Sequence, residues 1–299
     1  MPEGVEILIQ ANILKRSYLG KTIIGIYKTE KFQKNGLKNF EILSLPLVIS
    51  DIWSRGKVIV FQCAGRDNNN IRSQEYKLYI TSQLGMSGQW VTEKGSHSNF
   101  WFSFGYEHPE HPGYYCPTEN LYYEDMRHFG ILECHTDLSG IWKRHGPCLM
   151  TAALIRDGVV QMSGLNTHQL SATYNIYTKQ IRNKRFKNNK RIAEFMMDQS
   201  RLSGVGNYLR AEILYRSKIS PYRTLVSLSD EDIKVLYNNT LKIMMESYNQ
   251  KGKYYQGTKC GDGFSLRVYK QETDPNGHPV LTFNDRDNRT CYYVPQVQI

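Results

Sequence analysis

Asp198-Gln199-Ser200-Arg201-Leu202-Ser203-Gly204-Val205-Gly206-Asn207-Tyr208-Leu209-Arg210-Ala211-Glu212 is the stretch that decides the fold. Gly204 and Gly206 frame a tight turn that opens a helix, and Asn207 stands at its N-terminus. The first amides of a helix have no partner inside it, and the helix dipole adds positive charge there, so the turn predicts a phosphate seat. Two helices joined this way grip a nucleic-acid backbone and carry little base information. Helical periodicity flanks the turn at residues 192–197, 207–215 and 229–249, the last opening on Ser229-x-x-Asp232, a capping pattern. Upstream, residues 179–191 carry seven basic side chains and no acid; the run fits a solvated helix face and a phosphate-facing surface alike. Downstream the chain predicts a hairpin: residues 279–284, a turn at Asp285-Arg286-Asp287-Asn288, then residues 289–294.

The other half has a different texture. Residues 5–15 predict a helix whose apolar face holds Val5, Leu8, Ile9 and Ile13, with Asn12 alongside. From about residue 22 to 134 the runs are short and β-rich: Ile23-Ile24-Gly25-Ile26-Tyr27, Val58-Ile59-Val60-Phe61, Tyr76-Lys77-Leu78-Tyr79-Ile80 and Phe100-Trp101-Phe102-Ser103-Phe104. Polar loops such as Gly65-Arg66-Asp67-Asn68-Asn69-Asn70 separate them, which points to a β-sandwich or barrel. Residues 140–174 show little pattern and are read as a connection. The expected architecture is therefore α+β. A catalytic β-sandwich domain spans 1–140, a linker 141–178, and a helical domain 179–299.

Composition bounds the partners. The 299 residues carry 38 Lys+Arg against 28 Asp+Glu, a formal net charge of +10, which favours a polyanion, either nucleic acid or a membrane surface. No apolar run approaches a membrane span, and the acidic start is the opposite of a signal peptide's. An intracellular, soluble protein is expected, its compartment left open, with the nucleus as one candidate. The six cysteines are scattered without a Cys-x-x-Cys pair, so free thiols are expected rather than disulfides or a zinc site.

The candidate chemistry begins at Met1-Pro2-Glu3-Gly4-Val5-Glu6. Trimming of Met1 leaves Pro2 with a free secondary amine, which attacks an aldehyde-like carbon to give an iminium ion. Glu3 follows at once and Glu6 lies one helical turn on, so carboxylates suited to general acid work flank the nucleophile. In Ser54-Arg55-Gly56-Lys57-Val58, Lys57 stands at the start of a strand, able to hold a phosphate or shuttle protons. Gln83-Leu84-Gly85-Met86-Ser87-Gly88 presents Met86 at the tip of a Gly-bracketed loop, where an apolar wedge can replace an expelled base. In Asp125-Met126-Arg127-His128-Phe129-Gly130, a strand would put Arg127 and Phe129 on one face.

Taken together and in this order, these segments resemble the formamidopyrimidine-DNA glycosylase and endonuclease VIII family of DNA glycosylase/AP lyases, with matches from Pro2 to Gln298. The resemblance implies Pro2 as Schiff-base nucleophile, Glu3 and Glu6 as catalytic carboxylates, and Lys57 at the phosphate and in elimination. It implies Met86, Arg127 and Phe129 as void fillers, Asn207 as the phosphate contact of a helix–two-turn–helix, and Arg289 as the phosphate-gripping finger residue. Two departures stand out. The zinc branch ends its finger in Cys-Pro-x-Cys-Gln, whereas this chain reads Val294-Pro295-Gln296-Val297-Gln298. The upstream Asp274-Pro275-Asn276-Gly277-His278-Pro279 holds no Cys either. Four thiolates are what such a site requires, so a zincless finger over about 264–299, held by apolar packing, is expected, with no metal and no cofactor. Gln83 replaces a phosphate-contacting His of many relatives.

The resemblance implies a monomer that acts on double-stranded DNA carrying oxidised bases or abasic sites, and on single strands, where flipping costs less. The stretch 251–264 is shorter than the purine-covering loop of the guanine-oxidation branch, which favours oxidised pyrimidines and hydantoins. The alternatives are a non-catalytic damaged-DNA-binding protein of the same fold, and an RNA-binding module using the Gly204–Asn207 turn alone; the N-terminal motif speaks against both.

Overall fold

The computed structural model describes residues 2–33, 37–66, 75–161, 171–183, 190–250 and 264–299. The chain forms two compact units, one of Met1–Pro2 with Ile7–Gly140, the other of Glu3–Glu6 with Ile141–Ile299. Helix α1 (Gly4–Tyr18) contributes its first turn to the second unit and the rest to the first. Its buried stripe in the first unit is Ile7, Ala11, Leu14 and Tyr18, while Ile13 is 45% exposed. The face expected through Ile9 and Ile13 is therefore corrected by about one residue. Small Ala11 allows close packing, and the Tyr18 ring meets Phe104 at 4.8 Å.

The first unit continues through β1 (Thr22–Lys28), α2 (Glu30–Gln33), β2 (Leu37–Lys38), β3 (Leu47–Arg55), β4 (Val58–Arg66), β5 (Glu75–Gln83), β6 (Gln89–Val91), β7 (Ser98–Glu107), β8 (Tyr115–Glu124) and β9 (Ile131–His135). Among the described residues, nine strands form one ladder in the order β2-β9-β5-β4-β3-β1-β7-β8-β6. In a flat sheet β5 and β6 would lie six spacings apart, roughly 29 Å at about 4.8 Å each. Instead the Trp90 indole N–H on β6 donates to Ser82 Oγ on β5 at 3.1 Å, and the Trp90 ring meets Phe61 on β4 at 5.2 Å. The ladder thus folds over into a sandwich. Its interior is the aromatic cluster of Phe61, Trp90, Phe100, Phe102, Phe104 and Tyr123. β1 buries alternate residues, whereas Val58 to Phe61 of β4 are buried at four consecutive positions, so apolar content between turn signals, more than alternation, makes these runs legible. Most of the polar loop after Gly65 falls on residues 67–74, outside the described residues.

The second unit holds α3 (Ser139–Trp142) in the main, then α4 (Leu149–Arg156), α5 (Tyr174–Ile181), α6 (Ile192–Met197), α7 (Asn207–Arg216), α8 (Asp230–Asn249), β10 (Leu281–Asn284) and β11 (Thr290–Tyr293). Helix α4 occupies part of what was expected to be an unpatterned connection. Its residues 149–154 are all buried, and a helix apolar on every side has no amphipathic period to read. Helix α8 opens on a capping box, with Ser229 and Asp232 each bonding the other's backbone N–H. Part of the basic run, residues 184–189, lies outside the described residues. Of the rest, Arg182 pairs with Asp230 at 2.7 Å, Lys190 with Asp198 at 2.8 Å, and Arg191 sits over the Tyr222 ring at 5.2 Å. These three therefore have partners within their own unit.

The β10–β11 hairpin is fastened to α7 by packing and by buried charge. Val294 stands in an apolar cluster with Ala211, Tyr215 and Val268, and Val297 packs against it. Gln298 bridges Val294 N and the Ile219 carbonyl. At the turn, Asp285 Oδ1 accepts from Asp287 N at 3.0 Å and Arg289 N at 2.9 Å, and Oδ2 accepts from Arg210 Nη1 at 2.5 Å. The ion pair is almost wholly buried. Burial pushes the Asp285 carboxyl up, but the bonds from Arg210 and Arg289 outweigh it and hold it below its ordinary range. In the same way Asp274 accepts from Asn276 N, His278 N and the Tyr215 hydroxyl. Asp285→Ala should leave Arg210 as an unpaired buried charge and cost about 3–5 kcal/mol. Urea denaturation checks this; a midpoint within error of the parent's would mean the pair does not fasten the hairpin.

Candidate active site

The sequence reading left the first amides of α7 open for a phosphate, and the structure fills them with Glu3. The Glu3 carboxylate, 2% exposed, accepts from Gly206 N at 2.7 Å and Leu209 N at 3.2 Å on Oε2, and from Tyr208 N at 2.8 Å on Oε1. Negative charge at a helix N-terminus, bonded to its partnerless amides, is favourable on both counts. Glycine makes the approach possible. A Cβ on Gly206 would lie 2.4 Å from Glu3 Cδ, and one on Gly4 would lie 2.8 Å from Gly204 Cα. The backbones touch directly, Gly4 N donating to the Gly204 carbonyl at 2.8 Å. Gln199 shapes the turn from inside, its amide bonding Gly204 N and the Val205 carbonyl.

Glu6 lies one turn along α1 and is also buried. Its Oε2 accepts from Glu3 N at 2.9 Å, and its Oε1 accepts from the Tyr208 hydroxyl at 2.8 Å. Pro2 is buried and stands two residues before the helix. Two carboxylates are thus fixed within four residues of the proline. At the same end of α7, Asn207 Nδ2 donates to the Thr290 carbonyl at 2.9 Å, and its Oδ1 accepts from Arg210 Nη2 at 2.5 Å. Arg289 is the residue before Thr290, on the turn that Asp285 clamps, so its backbone stands one residue from the Asn207 contact.

In the first unit, Lys57 lies in the two-residue turn between β3 and β4, just ahead of the strand on which it was expected. Gln83 ends β5 opposite Val58, at the same sheet edge. Arg127 and Phe129 do not sit on a strand either: β8 ends at Glu124 and both occupy the loop before β9. Asp125 continues the alternation that buries Leu121 and Tyr123, so its carboxylate turns inward. Its Oδ1 accepts from Ser87 Oγ at 2.6 Å and Arg127 N at 3.2 Å, and its Oδ2 accepts from Gly130 N at 2.7 Å. That carboxylate joins the Met86 loop to the Arg127–Phe129 loop and leaves Met86 40% and Phe129 60% exposed. Arg127 Nη1 lies 3.8 Å from Met86 Sδ. The three residues expected to fill a void form one exposed group.

Sequence reasoning missed Tyr208, Arg210, Asp125 and Asp285. The signal for the last two was present, since an Asp two residues before a backbone N–H in a turn commonly accepts from it. Nothing in the spacing marked Tyr208 or Arg210 apart from their place in the Gly-framed helix.

Known proteins share the chain's domains and fold. Residues 1–132 match the model of the formamidopyrimidine-DNA glycosylase N-terminal domain, and residues 170–257 that of the formamidopyrimidine-DNA glycosylase H2TH domain. Endonuclease 8 of Pectobacterium carotovorum is 26% identical over 301 residues, covering 100% of both chains. Formamidopyrimidine-DNA glycosylase of Mycoplasma genitalium is 25% identical, over 84% of this chain and 77% of that protein. The fold matches MutM (Fpg) of Thermus thermophilus at a TM-score of 0.73 with 21% identity, covering 99% of this chain and 98% of that one. It also matches Fpg of Lactococcus lactis bound to DNA containing an AP site, at 0.72 with 20% identity and 99% coverage of both. The chain belongs to the formamidopyrimidine-DNA glycosylase and endonuclease VIII family, the DNA glycosylases of base excision repair. Among the described residues no helix is long and apolar enough to cross a membrane.

Replacing Glu3 by Gln sets an amide N–H₂ against backbone N–H donors and removes the charge at the helix end. The loss of charged hydrogen bonds should cost about 2–3 kcal/mol, seen as a thermal midpoint lower by roughly 3–5 °C for a chain of this size. An unchanged midpoint would mean that another group caps α7.

Proposed function

We propose that the chain is a bifunctional DNA glycosylase/AP lyase that works through Pro2. The observation that supports this most is the pair of buried carboxylates, Glu3 and Glu6, held by α7 and α1 beside the proline. With Met1 removed, the Pro2 amine attacks C1′ of the damaged nucleotide as the bond to the base breaks. The C1′–O4′ bond then breaks, the ring oxygen taking a proton, and leaves an iminium ion on the opened sugar. Loss of the C2′ proton then expels the 3′ phosphate by β-elimination, and a second elimination expels the 5′ phosphate. Glu3, tied by three amide donors, supplies fixed negative charge next to the iminium. Glu6, bonded by one hydroxyl and one amide, is the carboxylate assigned to proton transfer. Lys57 assists at the phosphate. Positioning and the iminium supply the chemistry, and no step needs a metal or cofactor.

The grip belongs to Asn207 and Arg289 at the junction of α7 and the zincless finger, and the void left by the flipped nucleotide is plugged by Met86, Arg127 and Phe129. In this reading chemistry resides in residues 1–140 and backbone grip in residues 179–299. The substrate is double-stranded DNA with oxidised bases or abasic sites, and single strands as well.

Borohydride trapping on abasic DNA tests the nucleophile. The parent chain should become covalently attached, and Pro2→Thr should not, while still binding abasic DNA. Trapping by the Pro2→Thr chain at the parent rate would remove Pro2 from the mechanism. The lesion class rests on the stretch before Phe264, whose residues 251–263 lie outside the described residues. Its shortness favours smaller or non-planar bases. In single-turnover kinetics on matched oligonucleotides, thymine glycol and hydantoins should be excised faster than 8-oxoguanine opposite cytosine; equal rates would overturn that preference.

A further inference from the structure

Tyr208 is a buried titratable group with no part in the reaction as drawn so far. It stands second in α7 and is 2% exposed. Its backbone N–H donates to Glu3 Oε1 at 2.8 Å, and its hydroxyl donates to Glu6 Oε1 at 2.8 Å. The hydroxyl also lies 3.1 Å from Ser247 Oγ on α8, which is wholly buried. One residue therefore holds both carboxylates, one by its main chain and the other by its side chain. Ser247 keeps the hydroxyl in place from the opposite side.

The surroundings fix its state. Burial, then the charges of Glu6 and Glu3, push the Tyr208 phenol well above its ordinary range. The phenol therefore keeps its proton and donates it to Glu6. Its ring packs near Phe264 and Tyr269, with centroids 6.1 and 6.3 Å away. Tyr269 is itself raised, by burial and then by Glu3. Among the described residues, Glu6 accepts from the Tyr208 hydroxyl of α7, with Ser247 of α8 behind it, and from Glu3 N just before its own helix. Tyr269 faces Glu3.

We infer that Tyr208, seated by Ser247, is a positioning residue for the glycosylase/lyase reaction, orienting Glu6 through its hydroxyl while its amide holds Glu3. The inference rests on the reading of Pro2, Glu3 and Glu6 as the catalytic group. A hydrogen bond to a carboxylate favours the ionised form and fixes which oxygen faces the reacting atoms. Removing the hydroxyl while keeping the ring leaves packing intact. Glu6 is then freer to rotate and easier to protonate.

The experiment measures single-turnover borohydride trapping on abasic DNA as a function of pH, for the parent chain, Tyr208→Phe and Ser247→Ala. Tyr208→Phe should keep its circular dichroism and its half-saturating DNA concentration. Its maximal trapping rate should fall roughly tenfold, the scale of one hydrogen bond to a charged group. The acid limb of its rate profile should move to higher pH, because a carboxylate that loses a donor holds its proton more tightly. Ser247→Ala should shift the limb in the same direction by less, and this variant decides the matter if Tyr208→Phe fails to fold. A folded Tyr208→Phe with the parent's rate and acid limb would overturn the inference, as would a rate loss that appears only as weaker DNA binding. Absence of trapping by the parent would instead overturn the function proposed for Pro2.

Discussion

The Glu3 carboxylate lies across the first turn of α7, taking the amides of Gly206, Tyr208 and Leu209. Most of what is local to the site depends on that contact. It requires Gly206 to have no side chain and brings Gly4 against Gly204, so both glycines of the turn are fixed by it. It sets the register of α7 against the first turn of α1, which places the Tyr208 hydroxyl on Glu6. Charge-assisted bonds of this kind contribute about 1.5–3 kcal/mol each, and a buried helix end without such partners would be costly. The residue that lies next to the proposed nucleophile is thus also the cap of the helix that carries Asn207.

The same physical device recurs. Glu212 Oε1 accepts from the consecutive amides of Arg267, Val268 and Tyr269, at 3.0 to 3.1 Å. Asp274 and Asp285 gather the amides of the segments that flank the hairpin, and Asp125 gathers those of the Arg127–Phe129 loop. Irregular backbone has donors that no ladder satisfies, and a buried carboxylate offers enough lone pairs to satisfy two or three at once. Each such carboxylate stands where a loop has to be stiff. The hairpin carrying Arg289 gains its stiffness from Asp285, Arg210 and a cluster of valines and tyrosines.

How much of this was legible follows from the kind of signal each element gives. The β-runs are short, apolar and bounded by turn signals, the Gly-framed turn is distinctive, and Ser229 with Asp232 spells a cap, so these elements could be read directly. Helix α4 could not, because Leu149 to Leu154 are buried on every side. The face of α1 was misread because Val5, Ile9 and Ile13 offered a plausible apolar stripe beside the real one through Ile7, Ala11 and Leu14. At the site, Pro2, Glu3, Glu6 and Asn207 were visible as reactive residue types in significant places. Their partners were not, since Glu3 meets Tyr208 across 205 positions of sequence. The helix end that was read as open to a phosphate holds a carboxylate for the same electrostatic reason.

The measurement that bears most directly on this account is peptide mapping of the borohydride-reduced adduct between the intact protein and abasic DNA. The account predicts that the sugar remnant is carried by the N-terminal peptide, on Pro2 with Met1 absent. A remnant on Lys57, or on any other lysine, would contradict it.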